Sequence, residues 1–408
     1  MDKLDYESEL EEHLGTADLT SGLVKGKVKK ILMLSGGIIL VLTLLFMWVI
    51  FTKSGRSLIY KIAGKAIYTG LDTDDDMESS SVITPLNKQD NYKDNITDDS
   101  NKANNKTTNK ASNNKEDKDT SNLVIPRKKT EPRCEDYVSN YLILGIEEIK
   151  NAKNTDTMMI ASINTKDNSI KLTSLLRDTY IESDNCNPNK LNAFYSLGGA
   201  GGLVELIEEK YRIDIDGYAS INFESFEKII DYLGGISIEL GVAEAEYLNT
   251  TNYISNPKYR NVKPGWNLLN GNQALGYCRI RMVETLGGAT DDYGRTLRQR
   301  RVLSAIFNKY KSKNIFSLIS ISKNVLGYVK TNVTQSQIEK ALEDIVENKI
   351  SKMDTMRVPC NGLYEAPLEY NGITYPLVLD WDANVMELYK FIYLDNHEQA
   401  KANLEKYR

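Results

Sequence analysis

The densest cluster of charged side chains in the chain is TDDYGRTLRQRR, residues 290–301. Its two aspartates predict the start of a helix, because carboxylates suit the positive end of a helix dipole. At 100° per residue, Arg295, Arg298 and Gln299 share one face, whereas Arg300 points away and is predicted to be solvated. No acid follows Arg295 in this stretch to form the i,i+4 pairs of a surface helix. The cluster therefore predicts a site for an anion.

Three other segments and a second arginine pair place charges beside apolar runs. Glu147 follows LILGI, Asp156 opens the run DTMMIASI, and Arg177 lies in LLRDTYI. The segment CRIR adds Arg279 and Arg281, which alternate as they would on a strand. Each has a simpler explanation: a solvated turn, a turn cap, a local Arg–Asp ion pair or an exposed strand edge. Together, these charged residues are more numerous than a random surface explains. Charges at the strand ends of α/β sheets tend to line a binding crevice.

These residue types match the chemistry of a pyrophosphate group. Arginine side chains bind phosphate oxygens in pairs and stay charged. Two carboxylates, such as Glu147 and Asp156, can hold a Mg²⁺ ion that bridges phosphate oxygens and stabilises charge on a leaving group. Such a site works by positioning and electrostatics, with little covalent participation by the protein.

Composition argues against several other kinds of site. The chain has 408 residues, a formal net charge of -5 and a pI of about 5.5, which does not suit a bulk nucleic-acid binder. Its 2 histidines are His13, in the N-terminal tail, and His397, in a polar terminal segment. Neither a histidine-activated nucleophile nor a histidine-ligated zinc is therefore predicted. The 4 cysteines leave disulfides possible without indicating a framework, and Cys278 is predicted to be buried.

The N-terminal region is organised around one apolar segment. Residues 1–30 are polar, and residues 31–52 contain an uncharged run that, as a helix of about 31 Å, matches a bilayer core. We predict a transmembrane signal anchor here, because the run is too long and too far from the start for a cleaved signal peptide. Residues 53–71 are predicted to form a juxtamembrane segment, either an amphipathic surface helix or a continuation of the span. Residues 72–133 are polar and predict a disordered linker.

Residues 134–408 have the pattern of a folded domain. The segments NYLILGI, TDTMMIASINT, SIKLTSLLRDTYI and KMDTMRVP predict strands, and GGLVELIEEKYRI and RTLRQRRVLSAIFNKYKSK predict helices. The segment YASINFESFEKIIDYLGGISIEL predicts a strand, a helix, a Gly-Gly turn and a strand. Alternating strands and helices indicate an α/β fold, a mixed sheet with helices on both faces.

Six ordered motifs between Tyr137 and Tyr393 resemble one protein family. They are LILGIE…NTDTMMIASIN, LTSLLRDTYI, KLNAFYSLGG, INFESFEKIIDYLGGISIEL, LNGNQALGYCRIR and DDYGRTLRQRRVL. They resemble the LytR-CpsA-Psr family of bacterial cell-envelope phosphotransferases, which move glycopolymers from a polyprenyl-pyrophosphate carrier to peptidoglycan. The resemblance implies a lipid-linked glycan and a peptidoglycan acceptor as partners, and no nucleic acid. It also implies a single-pass cell-membrane protein with a cytoplasmic N-terminus and an extracytoplasmic catalytic domain.

The resemblance further implies roles for individual residues. Glu147 and Asp156 would bind Mg²⁺ or Mn²⁺, and Arg177, Asp292 and Arg295 would form the catalytic group. The polyprenyl tail would lie in an apolar tunnel between the sheet and its helices. The residues expected to bind the substrate are Arg177, Lys190, Asn192, Arg279, Arg281, Arg295, Arg298 and Gln299.

Two positions depart from the family pattern, and the reaction leaves alternatives open. The family usually has aspartate at the position of Glu147 and often arginine at the position of Asn154. The segment VETLGGAT, residues 283–290, is predicted to be a mobile loop over the substrate. A peptidoglycan hydroxyl, the muramic acid 6-hydroxyl by resemblance, would attack the glycan-proximal phosphorus, with Asp156 or Asp292 as the base. Hydrolysis of the lipid pyrophosphate, or lipid binding without catalysis, are the alternatives.

Overall fold

The computed structural model describes residues 52–73, 131–149, 152–183, 186–311, 313 and 315–407. Residues 31–51 of the predicted transmembrane segment and residues 74–130 of the predicted linker lie outside these ranges. Within them, no helix combines the length and the apolar character needed to cross a membrane. The chain divides into two compact units, and residues 335–343 group with the N-terminal one.

The described part of the N-terminal unit contains helix α1 (Lys53–Tyr68) and residues 335–343. The hydroxyl of Thr52 begins the helix by accepting a hydrogen bond from the Gly55 backbone N at 3.0 Å. Gly64 has no side chain because a Cβ there would overlap the side chain of Glu339. The helix agrees with both readings of residues 53–71, and its position at a membrane stays a prediction.

The larger unit is built on a mixed sheet. In spatial order its strands are β1 (Asp72–Thr73), β10 (Lys330–Thr331), β7 (Gly217–Asn222), β2 (Val138–Ile149), β3 (Ala152–Asn164), β4 (Ser169–Leu175) and β11 (Lys352–Val358). The β2–β3 and β3–β4 pairs are antiparallel, whereas β2–β7 and β4–β11 are parallel. The sheet therefore mixes hairpins with crossovers, and the crossovers require covering helices.

Helices and small hairpins complete this unit. The helices are α2 (Phe194–Tyr211), α3 (Phe223–Tyr232), α4 (Val242–Thr250), α5 (Gly271–Arg279), α6 (Asp291–Tyr310), α7 (Ile315–Val325), α9 (Trp381–Tyr393) and α10 (His397–Lys406). Helix α8 (Gln335–Glu347) is divided, because its residues 335–343 group with the N-terminal unit. The paired short strands are β5 (Tyr180–Ser183) with β6 (Cys186–Lys190), β8 (Ile236–Leu240) with β9 (Gly265–Leu269), β12 (Tyr364–Glu365) with β15 (Val378–Leu379), and β13 (Glu369–Tyr370) with β14 (Ile373–Thr374). The predicted strands and helices named above are present, except that SIKLTSLLRDTYI is divided between β4 and β5, which are separated by residues 176–179. Cys278 is buried as predicted, and it is a free thiol like Cys134 and Cys360.

Two hydrophobic clusters form separate cores in this unit. Leu142 and Leu144 of β2 are fully buried in a cluster that includes residues of α2, α9 and α10. A second cluster, which includes Ile230 and Val302, joins α3, α5 and α6 to the β8–β9 hairpin. Because neighbouring side chains of a strand point to opposite faces, Ile143 faces away from the first cluster. Helices thus cover both faces of the sheet, as predicted.

Both described ends of the predicted linker belong to the fold. Asp72–Thr73 forms strand β1, parallel to β10. Arg133 is only 2% exposed, because its guanidinium bonds Asp395 at 2.6 Å and lies 4.0 Å from the centre of the Tyr393 ring. The prediction that the linker extends to residue 133 is therefore wrong at this end, because Arg133 is part of the fold. A charged residue can be buried in this way because its ion pair compensates for the loss of contact with water.

A charged site above an apolar cavity

Asp156 reaches the site through a β-bulge. Along the β2–β3 ladder, Gly145 pairs with Thr157, and the next pair is Ile146 with Thr155. Asp156 is therefore an extra residue, and it reverses the alternation of side chains around it. The Thr155 hydroxyl fastens the bulge by donating to the carbonyl oxygens of Gly145 at 3.1 Å and Thr157 at 3.0 Å. A Cβ on Gly145 would lie 2.8 Å from that of Thr157, so the strands approach this closely only at a glycine.

The bulge places Asp156 on the same side of the sheet as Glu147. Both lie within longer strands than predicted, since β2 continues past Glu147 and β3 begins before Asp156. Both also line a cavity of about 230 Å³ between the sheet and helices α3, α5 and α6. Much of the lining is apolar and includes Ile143, Met159, Ile221, Phe223, Phe226, Leu275, Val302 and Leu303. Its polar part consists of Glu147, Asp156, Arg279, Arg281, Arg295 and Gln299, with Asn222 and Thr157.

Ion pairs connect the predicted catalytic residues. Arg177 Nη1 donates to Asp156 Oδ1 at 2.6 Å, and Arg295 Nη1 donates to Asp156 Oδ2 at 3.1 Å. Arg295 also contacts Asp292 one helical turn away. Arg281 Nε lies 4.0 Å from Asp292 Oδ1. Five residues from four distant segments of the sequence therefore form one charged cluster.

A short 3₁₀ turn after β6 extends the cluster. Lys190 Nζ lies 3.0 Å from Asp178 Oδ1, and Asp178 Oδ2 lies 3.7 Å from Arg177 Nε. The backbone N of Asn192 donates to the Arg177 carbonyl oxygen at 3.2 Å. The predicted Arg177–Asp178 ion pair and the predicted site are therefore compatible, because the pair lies inside the cluster.

Arg279 approaches the cluster from helix α5. Its Nη2 lies 3.7 Å from Glu147 Oε1, and its guanidinium stacks 4.9 Å from the centre of the Phe223 ring. Arg279 is the last residue of α5, and Arg281 follows in a loop. The interpretation of CRIR as strand-like is therefore wrong. An arginine at a helix C-terminus also complements the negative end of the helix dipole.

Burial and charge shift the three carboxyl groups of the cluster differently. Burial opposes ionisation of Asp156, but the charges of Arg295 and Arg177 outweigh it and lower the pKa of that carboxyl. Burial, reinforced by the charge of Asp156, raises the pKa of Glu147. Burial also raises the pKa of Asp292, despite its arginine neighbours. Asp156 thus holds its negative charge most firmly, whereas Asp292 and Glu147 bind protons at higher pH than ordinary carboxyls.

Several buried polar atoms of the cluster have no hydrogen-bond partner within the described residues. They are Arg177 Nε, Arg295 Nε, Asp292 Oδ2 and Gln299 Oε1, whereas Arg295 Nη2 and Asp292 Oδ1 contact each other as an ion pair. Each such atom costs about 1–3 kcal/mol unless a ligand satisfies it. Because both hydrogen-bond donors and hydrogen-bond acceptors of the cluster lack partners, the cluster suits a ligand that brings anionic oxygens together with a hydroxyl group or a cation.

Glu147 and Asp156 form a donor set for a divalent cation. The charge of Asp156 acts on Glu147 strongly enough to help raise its pKa, so the two carboxylates face a common space. No group of three His, Cys, Asp or Glu side chains in the described part of the chain forms a protein-only cage. Mg²⁺ commonly takes one or two carboxylates and completes its octahedron with water and phosphate oxygens. The donor set fits an ion held jointly with a substrate.

The structure does not bring Arg298 to the cluster, so its predicted role as a substrate ligand is contradicted. Its side chain is fully buried, and Nε donates to the equally buried Glu244 Oε1 at 2.7 Å. Its Nη1 donates to the Ile280 carbonyl oxygen at 3.0 Å, and its Nη2 to that of Val283 at 2.9 Å. Arg298 is therefore a positioning residue that fastens the loop carrying Arg281.

Hydrogen bonds from neighbouring elements and within the loop itself hold that loop, residues 280–290, in place. Glu244 Oε2 accepts hydrogen bonds from the backbone N of Gly241 at 2.8 Å and of Leu286 at 3.4 Å. Within the loop, the Thr285 backbone N donates to the Ala289 carbonyl oxygen at 2.8 Å. These bonds do not match the expectation of a freely mobile loop over the substrate. They set the direction in which Arg281 enters the cluster.

The prediction that Arg300 is solvated is wrong. Its side chain is only 7% exposed, and Nη1 donates to Ser174 Oγ on β4 at 2.8 Å. Helix α6 packs against β4 and β11, so the face opposite Arg295 is also covered by protein. Burial, together with the charges of Arg357 and Arg301, lowers the pKa of the Arg300 guanidinium.

The cluster and the cavity define a class of protein: a mixed α/β domain with a basic and carboxylate site for an anionic group at the end of an apolar cavity. The chain belongs to the LytR_cpsA_psr family, whose sequence model matches residues 96–385. This match covers well over half of the chain and confirms the resemblance seen in the motifs.

Relatives and solved structures agree with this assignment. The chain is 30% identical over 274 residues to the polyisoprenyl-teichoic acid–peptidoglycan teichoic acid transferase TagU of Bacillus mycoides, covering 65% of this chain and 80% of TagU. It is 30% identical over 234 residues to the corresponding transferase TagV of Bacillus subtilis, covering 55% of this chain and 58% of TagV.

Two solved structures share the fold. The crystal structure of Bacillus subtilis TagV superposes with a TM-score of 0.50 at 25% identity, over 67% of this chain and 98% of that one. A structure described as TagT bound to LIIa-WTA gives a TM-score of 0.50 at 22% identity, over 66% of this chain and 92% of that one. Both comparisons support the mixed sheet with covering helices.

Proposed function

We propose that this chain is a phosphotransferase that moves a glycopolymer from a polyprenyl-pyrophosphate carrier to peptidoglycan. One observation carries the proposal: Asp156, Arg281 and Arg295 of the charged cluster line the same cavity as a largely apolar surface, so the head and the tail of a lipid pyrophosphate both find a matching surface. The names of the relatives TagU and TagV, which are teichoic acid transferases, support the same assignment. Teichoic acids and capsular polysaccharides are the polymer classes that fit.

The pyrophosphate is held by arginine forks around Asp156. Arg177 and Arg295 are oriented by that carboxylate, and Arg279 and Arg281 face it from the other side of the cavity. Lys190, Asn192 and Gln299 complete the surroundings in this proposal. Arginine pairs match several phosphate oxygens at once, which favours a pyrophosphate over a single carboxylate.

Glu147 and Asp156 would hold Mg²⁺ or Mn²⁺ beside the phosphates. A bound ion supplies neutralisation of charge on the phosphate oxygens and on the leaving group. Glu147 has a longer side chain than aspartate, yet it already points into the cavity from β2. Its raised pKa means that the site loses a metal-binding charge at a higher pH than a site with an ordinary glutamate would.

Asp292 is the better supported general base, because both oxygens of Asp156 accept hydrogen bonds from arginines whereas Asp292 Oδ2 has no partner within the described residues. Its pKa is raised, whereas that of Asp156 is lowered, and a base works best when its pKa approaches the working pH. The acceptor hydroxyl oxygen bonds to the glycan-proximal phosphorus as its proton passes to Asp292. The bond from this phosphorus to the bridging oxygen breaks, and polyprenyl phosphate leaves with the electron pair. A phosphodiester then joins the polymer to peptidoglycan.

Replacing Asp292 with asparagine should test the base. We expect transfer to fall by about 10²- to 10⁴-fold, because general-base assistance is lost. In the unmodified chain, activity should decline as pH falls through the raised pKa of Asp292, since only the ionised carboxylate accepts a proton. Rates measured from about pH 4 to pH 8 should show that the variant loses the part of this acidic decline that Asp292 causes, and the remaining part is assigned to Glu147. An unchanged decline in the variant would assign it to another group, such as Glu147.

The transfer reaction itself is tested with and without an acceptor. The full chain, purified in detergent with Mg²⁺, is incubated with a lipid-linked glycan and with peptidoglycan that lacks wall polymer. We expect polymer to become linked to peptidoglycan and no polymer phosphate to be released when the acceptor is omitted. Release without acceptor would instead indicate a hydrolase, and bound lipid without turnover would indicate a regulatory lipid-binding protein.

A membrane location accompanies the proposed substrate. We place residues 31–52 in the cell membrane, with the N-terminus cytoplasmic and the catalytic domain outside, where peptidoglycan lies. The apolar length of this segment supports the placement. Protease added to intact wall-less cells should digest residues 131–408 and spare the N-terminal tail, and protection of the catalytic domain would refute it.

A further inference from the structure

A second groove lies on the opposite face of helix α6 from the charged cluster. It encloses about 690 Å³, within the ~300–1,000 Å³ of typical small-molecule sites. Helix residues Arg300, Arg301 and Ser304 line it, whereas Arg295 and Gln299 line the first cavity. At 100° per residue these two sets point away from each other. Helix α6 therefore separates two binding surfaces.

One wall of the groove is an exposed hairpin face. Trp266 and Leu268 of β9 are 71% and 69% exposed. They pair across the hairpin with Glu239 and Ser237 of β8, so all four side chains share one face. An exposed indole beside hydroxyl and carboxylate groups suits a sugar ring, whose C–H face packs on an aromatic surface while its hydroxyl edge forms hydrogen bonds.

The helix wall carries cationic groups without an acidic partner. Arg300 is 93% buried, its Nη1 bonds Ser174, and its Nε has no hydrogen-bond partner. Arg301 Nη1 also has none. Within the described residues, no carboxylate forms an ion pair with either guanidinium, although Glu239 lines the groove. Burying a cation costs free energy unless an anion lies beside it. The buried guanidinium of Arg300 therefore favours a ligand with a negative group in this groove.

We propose that this groove binds the peptidoglycan acceptor as a carboxylate-bearing glycan strand, with a sugar ring on Trp266 and a carboxylate at Arg300 and Arg301. The inference rests on the proposed function and names where its second substrate lies. Leu286 and Leu297 line the groove near the N-terminal end of α6, the end that carries Asp292. A strand along the helix can therefore reach the charged cluster there.

The acceptor suits this groove better than the donor polymer does. The lipid and pyrophosphate of the donor are accommodated by the first cavity, on the other side of α6. A phosphodiester polymer carries an anion at every repeat and needs cations along its length. Glu239 interrupts this surface, and Lys309, which also lines the groove, already donates to the carbonyl oxygens of Leu233 and Gly235. A peptidoglycan strand has sparse carboxylates between uncharged sugars, which matches one guanidinium pair beside one indole.

The test measures strand binding by the full chain in detergent, without turnover. The probe is soluble peptidoglycan strand that lacks wall polymer, and the variants are Trp266→Ala and Arg301→Gln. We expect each to weaken strand binding at least about tenfold, while binding of a lipid-linked glycan stays unchanged. Tyr375→Ala is the matched control, because its ring is also exposed (66%) but lies outside the groove. It should bind strands as the unmodified chain does.

Three results decide the inference. Unchanged strand affinity in both variants would overturn it, and so would a loss confined to a soluble phosphodiester polymer, which would assign the groove to the donor. Trp266-dependent strand binding by a chain that transfers nothing would support the groove and refute the proposed function. Strand binding and transfer can therefore fail independently.

Discussion

Replacing Arg295 with alanine is expected to reduce glycopolymer transfer by about 10²- to 10³-fold while the domain stays folded. Arg295 bonds Asp156, contacts Asp292 through Nη2, and keeps Nε without a hydrogen-bond partner on the cavity side of α6. Its removal takes away both a phosphate-binding fork and the charge that contributes most to the low pKa of Asp156. The measurement is kcat/KM for the lipid-linked donor with saturating peptidoglycan.

Two further variants separate charge from geometry in this experiment. Arg295→Lys keeps the positive charge but loses the planar fork, and it should recover only part of the activity. Arg212→Ala removes a partly exposed arginine that pairs with Asp382 at 3.2 Å away from the cluster, and it should transfer at the unmodified rate. Full transfer by a folded Arg295→Ala chain would remove Arg295 from the catalytic group.

Replacing Arg298 with alanine is expected to lower the free energy of unfolding by about 3–5 kcal/mol. The change leaves the carboxylate of Glu244 fully buried without its ion-pair partner, and it frees the carbonyl oxygens of Ile280 and Val283. Removing one partner of a buried pair costs far more than the pair itself contributes, because an uncompensated charge remains. Urea unfolding at neutral pH measures the loss.

A double-mutant cycle identifies the cause of that loss. Arg298→Ala combined with Glu244→Ala should cost clearly less than the sum of the single changes, because the unpaired charge is removed too. The partly exposed Arg212–Asp382 pair provides a comparison, and its loss should cost less than about 1 kcal/mol. Additive effects of Arg298 and Glu244 would mean that the ion pair does not hold the loop.

Local sequence patterns were sufficient to predict the order of the strands and helices and many residues of the charged cluster. Apolar strands ending in charged residues placed Arg177 and Asp178 correctly, because the chain must leave the buried sheet where its side chains become polar. The aspartates of TDDYG correctly predicted the start of α6 at Asp291. The structure then brings Asp156, Arg177, Arg281, Asp292 and Arg295 together, as the chemistry of their side chains suggested.

The errors arose where tertiary packing overrides a local pattern. A helical face count assumes that one face meets solvent, yet α6 is covered on both sides, so Arg300 is buried and Arg298 faces Glu244. The Gly241-x-x-Glu244 spacing indicates a helix start, since the Glu244 side chain bonds the Gly241 backbone N, but it carries no sign of burial. No local signal marks the bulge at Asp156, which exists only in the pairing with β2.

The bulge makes chain length, and not only residue identity, a determinant of activity. Deleting the codon of Thr155 would remove the bulge, pair Asp156 with Ile146 and turn its carboxylate to the opposite side of the sheet from Glu147. Substitutions along this hairpin should therefore be tolerated far more often than single-codon insertions or deletions. In a mutant library, surviving transferases would keep the spacing from Glu147 to Asp156 constant while the residues between them vary.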